Sequence, residues 1–251
     1  MRIVAFNSSP RDGEASKTEM MLQSFLSGAR EAGAATETHY LKKYHIKHCV
    51  GCFGCWLKQK GRCVLEDDMT EQLFGRFLEA DLAVLATPLY HFTMNARMKA
   101  FIERTLPMLE PAFFDGRAIT RPWRFQKVPR LVAISVGAFP EHHNFDVLSL
   151  NLRMIFGNLL VGEVYRHSSE FFAIPELASP VQEVLAAAAQ AGREVVLEGK
   201  IQPTTQAAVI KDLAPREKLG RMANEHWRQQ MAEHDHEPPQ AEEDHTIDRF
   251  A

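Results

Sequence analysis

The sequence has no excess of positive charge and no long apolar run. Its 251 residues include 29 lysines and arginines against 32 aspartates and glutamates, a formal net charge of -3, so no basic field attracts nucleic acid. No stretch approaches the roughly 18 apolar residues of a membrane-spanning helix, and no charged N-terminal region precedes an apolar one. We therefore expect a cytoplasmic protein that binds neither nucleic acid nor membranes.

The chain also lacks GxGxxG and GxxxxGK(S/T), the glycine patterns of dinucleotide and ATP phosphate loops. It begins instead with an apolar run at 3–6, typical of a buried parallel strand, and a polar loop at 7–18 that leads into a helical pattern. Because the N-terminus of a helix attracts anions, we predict that this loop holds a phosphate through Ser9, Arg11, Ser16, Lys17 and Thr18. The alternative is a serine that only caps the helix and a solvated arginine.

Five apolar segments alternate with helical patterns along the chain. The predicted strands are 3–6, 36–41, 81–87, 131–136 and 162–171, and the predicted helices are 18–32, one opened by Asp67 and Asp68, 96–106, 148–160 and 180–197. This alternation predicts an α/β fold with a doubly wound, five-stranded parallel sheet. Residues 107–129 have no regular pattern.

The chain continues beyond the predicted sheet. We expect residues 1–200 to form one domain and 201–232 to form a helical C-terminal arm. Residues 233–251 are acidic and poor in core residues, which predicts a disordered tail.

Three polar loops follow three of the predicted strands, at 7–18, 88–95 and 137–145. Ligands of doubly wound sheets bind outside the carboxyl ends of the strands, so these loops should converge. The second loop offers a rigid proline, aromatic faces and an amide, which suit a flat conjugated ring. With the phosphate loop beside it, FMN fits best. We predict that Pro88, Leu89, Tyr90, Phe92 and Asn95 contact the ring, with Gly137 and Ala138 as a third wall; the alternative for Tyr90 and Phe92 is ordinary packing.

Cysteine is scarce and confined to one segment, with the spacing Cys49-x2-Cys52-x2-Cys55-x7-Cys63. Such clustering argues against a secreted disulfide framework. Three thiolates spaced by two residues can hold three corners of a 4Fe-4S cubane, and a fourth closes it. Zinc, reduced thiols that pack as small apolar groups and a redox disulfide are the alternatives.

Three of these stretches together resemble the flavodoxin-like NAD(P)H-dependent FMN reductase family, in particular its branch of iron-sulfur flavoproteins. The matching residues are 8–11 with Gly13 and Thr18, then 87–95 before 99–104, and finally 49–56 with 61–63 and 67–68. The resemblance covers about residues 1–140. It implies a flavodoxin-like fold, FMN lying across the three loops, and a homodimer or homotetramer that completes the flavin pocket.

We therefore expect an FMN-dependent oxidoreductase that passes electrons from NAD(P)H through FMN to an unidentified quinone, flavin or other small molecule. Because the flavin supplies the chemistry, we predict no catalytic side chain, neither a nucleophile nor an indispensable general base. Two alternatives stay open. One is an iron-sulfur flavoprotein that carries electrons between a redox protein and the flavin, with the cluster on the four cysteines. The other is a non-enzymatic binding module stapled by zinc.

Overall fold

The segments predicted as strands pair side by side in one sheet. The structure, a computed structural model, describes residues 1–114, 119–120 and 122–234. Its strands are β1 (Arg2–Asn7), β2 (Ala35–Tyr40), β3 (Leu82–Tyr90), β4 (Thr93–Met94), β5 (Phe113–Phe114), β6 (Ile119–Thr120), β7 (Arg130–Val136) and β8 (Leu160–Arg166). The order β2-β1-β3-β7-β8 is parallel throughout. This confirms the predicted five-stranded sheet.

The described residues form eight α-helices, of which those within residues 1–213 connect the strands or pack against the sheet. The eight are α1 (Lys17–Glu31), α2 (Gly54–Leu57), α3 (Phe74–Glu79), α4 (Ala96–Glu103), α5 (Asp146–Phe156), α6 (Ala178–Glu198), α7 (Pro203–Val209) and α8 (Arg216–His234). A π-helical turn, Met69–Leu73, leads into α3. In the described ranges, no helix combines the length and apolar character that a membrane crossing requires.

The central strands are almost entirely apolar because neither of their faces meets water. One face carries an apolar cluster in which the rings of Phe6, Phe77 and Phe101 pack against one another in tilted and edge-on arrangements. On the other side, α1 and α6 approach so closely that glycine is required at the contact. A Cβ on Gly28 would lie 1.8 Å from the Ala189 carbonyl oxygen, and one on Gly192 would lie 2.0 Å from that of Phe25.

Four predicted boundaries differ from the structure by three residues or more. β3 continues to Tyr90 rather than ending at residue 87, and α4 ends at Glu103 rather than at residue 106. The last strand ends at Arg166 rather than at residue 171, because Ser168 adopts a left-handed conformation with a φ of 54° and turns the chain. The helix predicted at 148–160 is α5, which ends at Phe156 where Gly157 has a φ of 54°. Part of the pattern-free stretch 107–129 forms a small antiparallel pair, β5 with β6.

The chain divides into two compact units, Met1–Leu213 and Ala214–Ala251. In the first unit, hydrogen bonds tie residues 209–211 to the end of β8. Arg166 Nη1 donates to the carbonyl oxygens of Val209 (3.0 Å) and Lys211 (2.6 Å), and His167 Nε2 bonds that of Ile210 at 2.9 Å. The second unit consists of α8 as far as His234. The tail predicted at 233–251 lies outside the described residues from 235 onward, and the boundary at residue 200 stays a prediction.

One buried and two half-buried histidines predict a loss of stability in mild acid. Burial, together with the Arg166 guanidinium, lowers the pKa of His167, and burial also lowers the pKa of His142 and His39. As the pH falls below about 6.5, the unfolded chain binds protons that the folded chain excludes, so the free energy of unfolding decreases. Each histidine contributes at most about 1.4 kcal/mol per pH unit.

Urea unfolding at a series of pH values from about 7.5 to about 5.5 measures this slope. His167→Gln should reduce it relative to the unsubstituted chain. An unfolding free energy that is constant over this range contradicts the prediction.

Candidate functional site

The loop after β1 is built around two serine hydroxyls. Ser16 caps α1, since its Oγ accepts a hydrogen bond from Glu19 N at 3.1 Å. The same hydroxyl donates to Ser9 Oγ at 2.8 Å, and both side chains are buried. Between them, Gly13 takes a φ of +50° in the turn Gly13–Ala15. The loop therefore folds back so that its hydroxyls meet at the beginning of α1.

The loop after β3 is a two-residue hairpin turn to β4, with Tyr90 paired to Thr93. Its central residues, His91 and Phe92, both adopt positive φ, at 47° and 64°. This conformation fits a tight hairpin but costs energy for bulky residues. The turn leaves Tyr90 and Phe92 about half exposed, at 48% and 53%. Strain of this kind is concentrated at functional sites.

The third wall follows β7 at Gly137. Its N–H donates to Arg166 O at 2.9 Å, and its carbonyl oxygen accepts from the backbone N–H and the hydroxyl of Ser169, at 3.0 and 3.1 Å. A Cβ at this position would lie 3.2 Å from Phe145 and 3.4 Å from Leu89. Glycine thus allows the second and third loops to approach each other.

The three loops line two adjoining cavities at the carboxyl edge of the sheet. The first is a cleft lined by Ser9, Pro10, Arg11, Ala15, Ser16, Lys17, Thr18, Pro88, Leu89, Tyr90, Val136, Ala138, Ser169 and Glu170. The second is a more apolar cavity of about 460 Å³ lined by Leu89, Tyr90, His91, Phe92, Gly137, Ala138, Phe139, Asn144 and Phe145. Every residue that the sequence analysis predicted to contact FMN lines one of them, except Asn95.

The Asn95 side chain lies outside both cavities and forms hydrogen bonds within the protein. Its Oδ1 accepts from Met98 N at 3.1 Å, which caps α4, and its Nδ2 donates to Ser8 O at 2.7 Å. Both ends of the amide are therefore engaged within the protein. The side chain ties the second loop to the first, and it lines a separate surface pocket with Tyr44 and Arg97.

Sequence reasoning missed Ser169 and Glu170, which line the cleft. Both residues fall within the predicted strand 162–171, and the consecutive serines at 168 and 169 indicate that the strand ends earlier. At the exposed rim, Glu170 pairs with Arg11 at 3.5 Å between Oε1 and Nη1. The loop after β8 therefore contributes to the site as well.

The four cysteines line one pocket, together with Glu103, Arg104, Leu106 and Pro107. Burial, with the Cys63, Cys49 and Cys52 thiols nearby, raises the pKa of Cys55. Among the described residues, which include all four cysteines, no three or more His, Cys, Asp or Glu side chains are arranged to hold a single metal ion. The metal role of the cysteines stays a prediction.

A buried ion pair supports the cysteine pocket. Arg104 Nη1 lies 2.6 Å from Asp67 Oδ2 and Arg104 Nη2 lies 2.9 Å from Oδ1, and both side chains are almost completely buried. Nη1 also donates to Lys47 O at 2.8 Å, and Nη2 to Thr70 Oγ1 at 2.7 Å. Burial alone would raise the pKa of Asp67, but hydrogen bonds from Arg104, Lys47 and Thr70 lower it. The pair thus fixes the segment that carries the cysteines against α4.

Known proteins share this architecture and parts of this sequence. An iron-sulfur flavoprotein of Archaeoglobus fulgidus is 39% identical over 108 residues, 43% of this chain and 46% of that protein. The FMN-dependent NAD(P)H:quinone oxidoreductase 1 of Pseudomonas aeruginosa is 28% identical over 120 residues, 41% of this chain and 52% of that protein. The chain thus spans about half the length of the curated relatives it matches.

The fold is also found among solved structures. That of an FMN-dependent NADH-azoreductase from Bacillus anthracis in complex with FMN superposes with a TM-score of 0.58 at 14% identity, covering 78% of this chain and 99% of that one. At this identity the likeness concerns the fold alone, which is flavodoxin-like. The family model described as NADPH-dependent FMN reductase matches residues 1–163. The chain therefore belongs to the NADPH-dependent FMN reductase family.

Proposed function

We propose that this chain is an FMN-dependent oxidoreductase that takes electrons from NAD(P)H and delivers them to a small-molecule acceptor. The observation that carries the proposal is the convergence of a hydroxyl-lined cleft and an aromatic cavity at the carboxyl ends of β1, β3 and β7. This edge is where a doubly wound sheet binds its ligand. Family membership supports the same cofactor.

The residues of the cleft and those of the cavity suit different parts of the cofactor. The Ser9 and Ser16 hydroxyls, with Arg11 and the beginning of α1, suit a phosphate. Tyr90 and Phe92 offer exposed aromatic faces beside an apolar cavity, which suits a flat ring and limits the access of water. Bound FMN would supply the transfer of hydride and electrons. The chain's own residues hold and orient the cofactor, so no catalytic side chain is proposed.

Flavin binding and reduction test the proposal. The purified protein should bind FMN and, without oxygen, lose its flavin absorbance on addition of NADH or NADPH. Ala138→Trp, which places a large side chain where the two cavities meet, should abolish binding. Ala35→Trp, at an exposed position outside both cavities, should not. A protein that binds no FMN, or whose flavin neither nucleotide reduces, overturns the proposal, and a colourless protein that carries zinc would support the binding module instead.

A second candidate is an iron-sulfur flavoprotein that exchanges electrons with a redox protein. Four thiols on one pocket favour it, as do relatives that carry this name. In that case the protein contains iron and acid-labile sulfide besides flavin, and Cys63→Ser loses both. The exposed neighbour variant His48→Ala should retain them. Absence of iron after anaerobic reconstitution rejects this candidate but leaves the first one standing. The predicted homodimer or homotetramer is a separate proposal that the molar mass in solution tests.

A further inference from the structure

A ring of hydrogen bonds lies behind the phosphate side of the cleft and is centred on Glu19. This carboxylate sits in the first turn of α1. Its Oε2 accepts from Asn7 Nδ2 at 2.5 Å, and its Oε1 accepts from the Tyr40 hydroxyl at 2.7 Å and from Gln23 Nε2 at 3.0 Å. The proposed cofactor contacts do not include Glu19, although the residues it holds are adjacent to them.

The Glu19 carboxylate fixes the orientation of the Asn7 amide. A carboxylate only accepts hydrogen bonds, so Asn7 must turn its Nδ2 toward Glu19. The Asn7 Oδ1 then faces the other way and accepts from Ser9 N at 2.8 Å. Asn7 is buried, at 1% exposed, so the amide cannot exchange these partners for water. The backbone of Ser9 is therefore positioned by Glu19 through Asn7.

The same ring determines where the Ser9 hydroxyl can donate. Ser16 Oγ accepts from Glu19 N and gives its single hydrogen to Ser9 Oγ. Ser9 Oγ also accepts from Arg11 N at 3.3 Å, and among the described side chains and backbone groups the acceptor for its own hydrogen is Arg11 O at a long 3.4 Å. A bond of that length is weak. The Ser9 hydroxyl hydrogen is thus available to an anion in the cleft that Ser9 lines.

We propose that Glu19 is a positioning residue for the FMN phosphate. Its carboxylate holds Asn7 and its backbone N–H bonds the Ser16 hydroxyl, and through these two residues it presents the Ser9 hydroxyl to the cleft as a donor. The inference rests on the proposed function, which assigns the phosphate to this cleft. Three donors on one carboxylate offset the repulsion that its charge would exert on a bound anion. Burial, together with the hydrogen bond to Glu19, also raises the pKa of Tyr40 to about 12.

The test compares FMN with riboflavin, which has the same ring and lacks the phosphate. Glu19→Gln keeps the size of the side chain but removes its charge, and it leaves one acceptor oxygen where the carboxylate offers two to the Asn7, Tyr40 and Gln23 donors. Fluorescence titration should give an FMN Kd about tenfold higher than that of the unsubstituted protein, with the riboflavin Kd unchanged. The exposed Glu31→Gln, at the other end of the same helix, should change neither value.

A second variant guards against a folding defect. Tyr40→Phe removes one donor to Glu19 and should also weaken FMN binding selectively, by a smaller factor. Equal loss of both flavins, or FMN binding that is unchanged or tighter in Glu19→Gln, overturns the positioning role while the proposed function stands. An unsubstituted protein that binds neither flavin overturns the proposed function, and this inference with it.

Discussion

Gly192→Ala is expected to lower the free energy of unfolding by about 3 kcal/mol, the upper part of the range for overpacked sites. The added methyl group would lie 2.0 Å from the carbonyl oxygen of Phe25 and 3.0 Å from the backbone nitrogen of Ala29. Backbone atoms cannot rotate away as a side chain can, so α1 and α6 must separate and lose their packing. Urea unfolding followed by circular dichroism measures the loss.

Gly75→Ala is the matched control, because Gly75 is an exposed residue of α3 in the same unit and a Cβ there meets nothing within 4 Å. Since alanine favours a helix by up to about 1 kcal/mol over glycine, this variant should be as stable as the original or slightly more stable. Gly28→Ala should resemble Gly192→Ala, and the double variant should cost less than the sum, because the first substitution already separates the helices. Equal midpoints for Gly192→Ala and Gly75→Ala would refute the close contact.

Arg104→Met should lower the free energy of unfolding by roughly 3–5 kcal/mol, since it leaves the Asp67 carboxylate buried without its partner. The loss also releases Lys47 O and Thr70 Oγ1, which hold the cysteine segment against α4. We therefore expect the four thiols of the variant to react faster with a thiol reagent than those of the original. Asp67→Asn should act in the same direction, and its effect should shrink as the pH falls below about 4, because the unfolded chain then takes up a proton that the lowered pKa of Asp67 excludes from the folded chain.

The matched control is Lys99→Met, whose ion pair with Glu103 lies on the same helix but is exposed to solvent, at 48% and 36%. Exposed pairs of this kind contribute at most about 1 kcal/mol. The control should leave both the stability and the reactivity of the thiols close to those of the original. If Arg104→Met and Lys99→Met change the stability and the reactivity of the thiols equally, the buried pair neither stabilises the fold nor holds the cysteine segment as predicted.

The sheet and most of the candidate site could be predicted because they follow from local sequence. Apolar runs such as 81–87 and 131–136 are buried on both faces, which leaves few alternatives to a central strand. The ends of such strands define one edge, and the polar residues after them converge there without any knowledge of distances. For this reason the predicted contacts of the first three loops, apart from Asn95, line two adjoining cavities.

What could not be predicted depends on contacts between residues that are distant in the chain or on a single backbone angle. Asn95 is a polar residue in the correct loop, but whether its amide faces a ligand or Ser8 is decided by a partner 87 residues away. Glu19 matches a common preference for acidic residues in the first helical turn. The sequence therefore gives no reason to connect Glu19 with Asn7 or Tyr40. Ser169 lies in the cleft because the positive φ of Ser168 turns the chain just before it.

The segment 209–211, which forms hydrogen bonds with Arg166 and His167, also affects how readily the folded chain associates with other chains. β8 is an edge strand of the sheet, and an edge exposes unpaired backbone groups onto which another chain can add a strand. Ile201 packs against Gly162 in the middle of β8, and residues 209–211 are bonded to its end. A chain that ends before Pro203 would lose the acceptors of the buried Arg166 guanidinium, so β8 would be held less firmly and its edge would be more accessible to another chain.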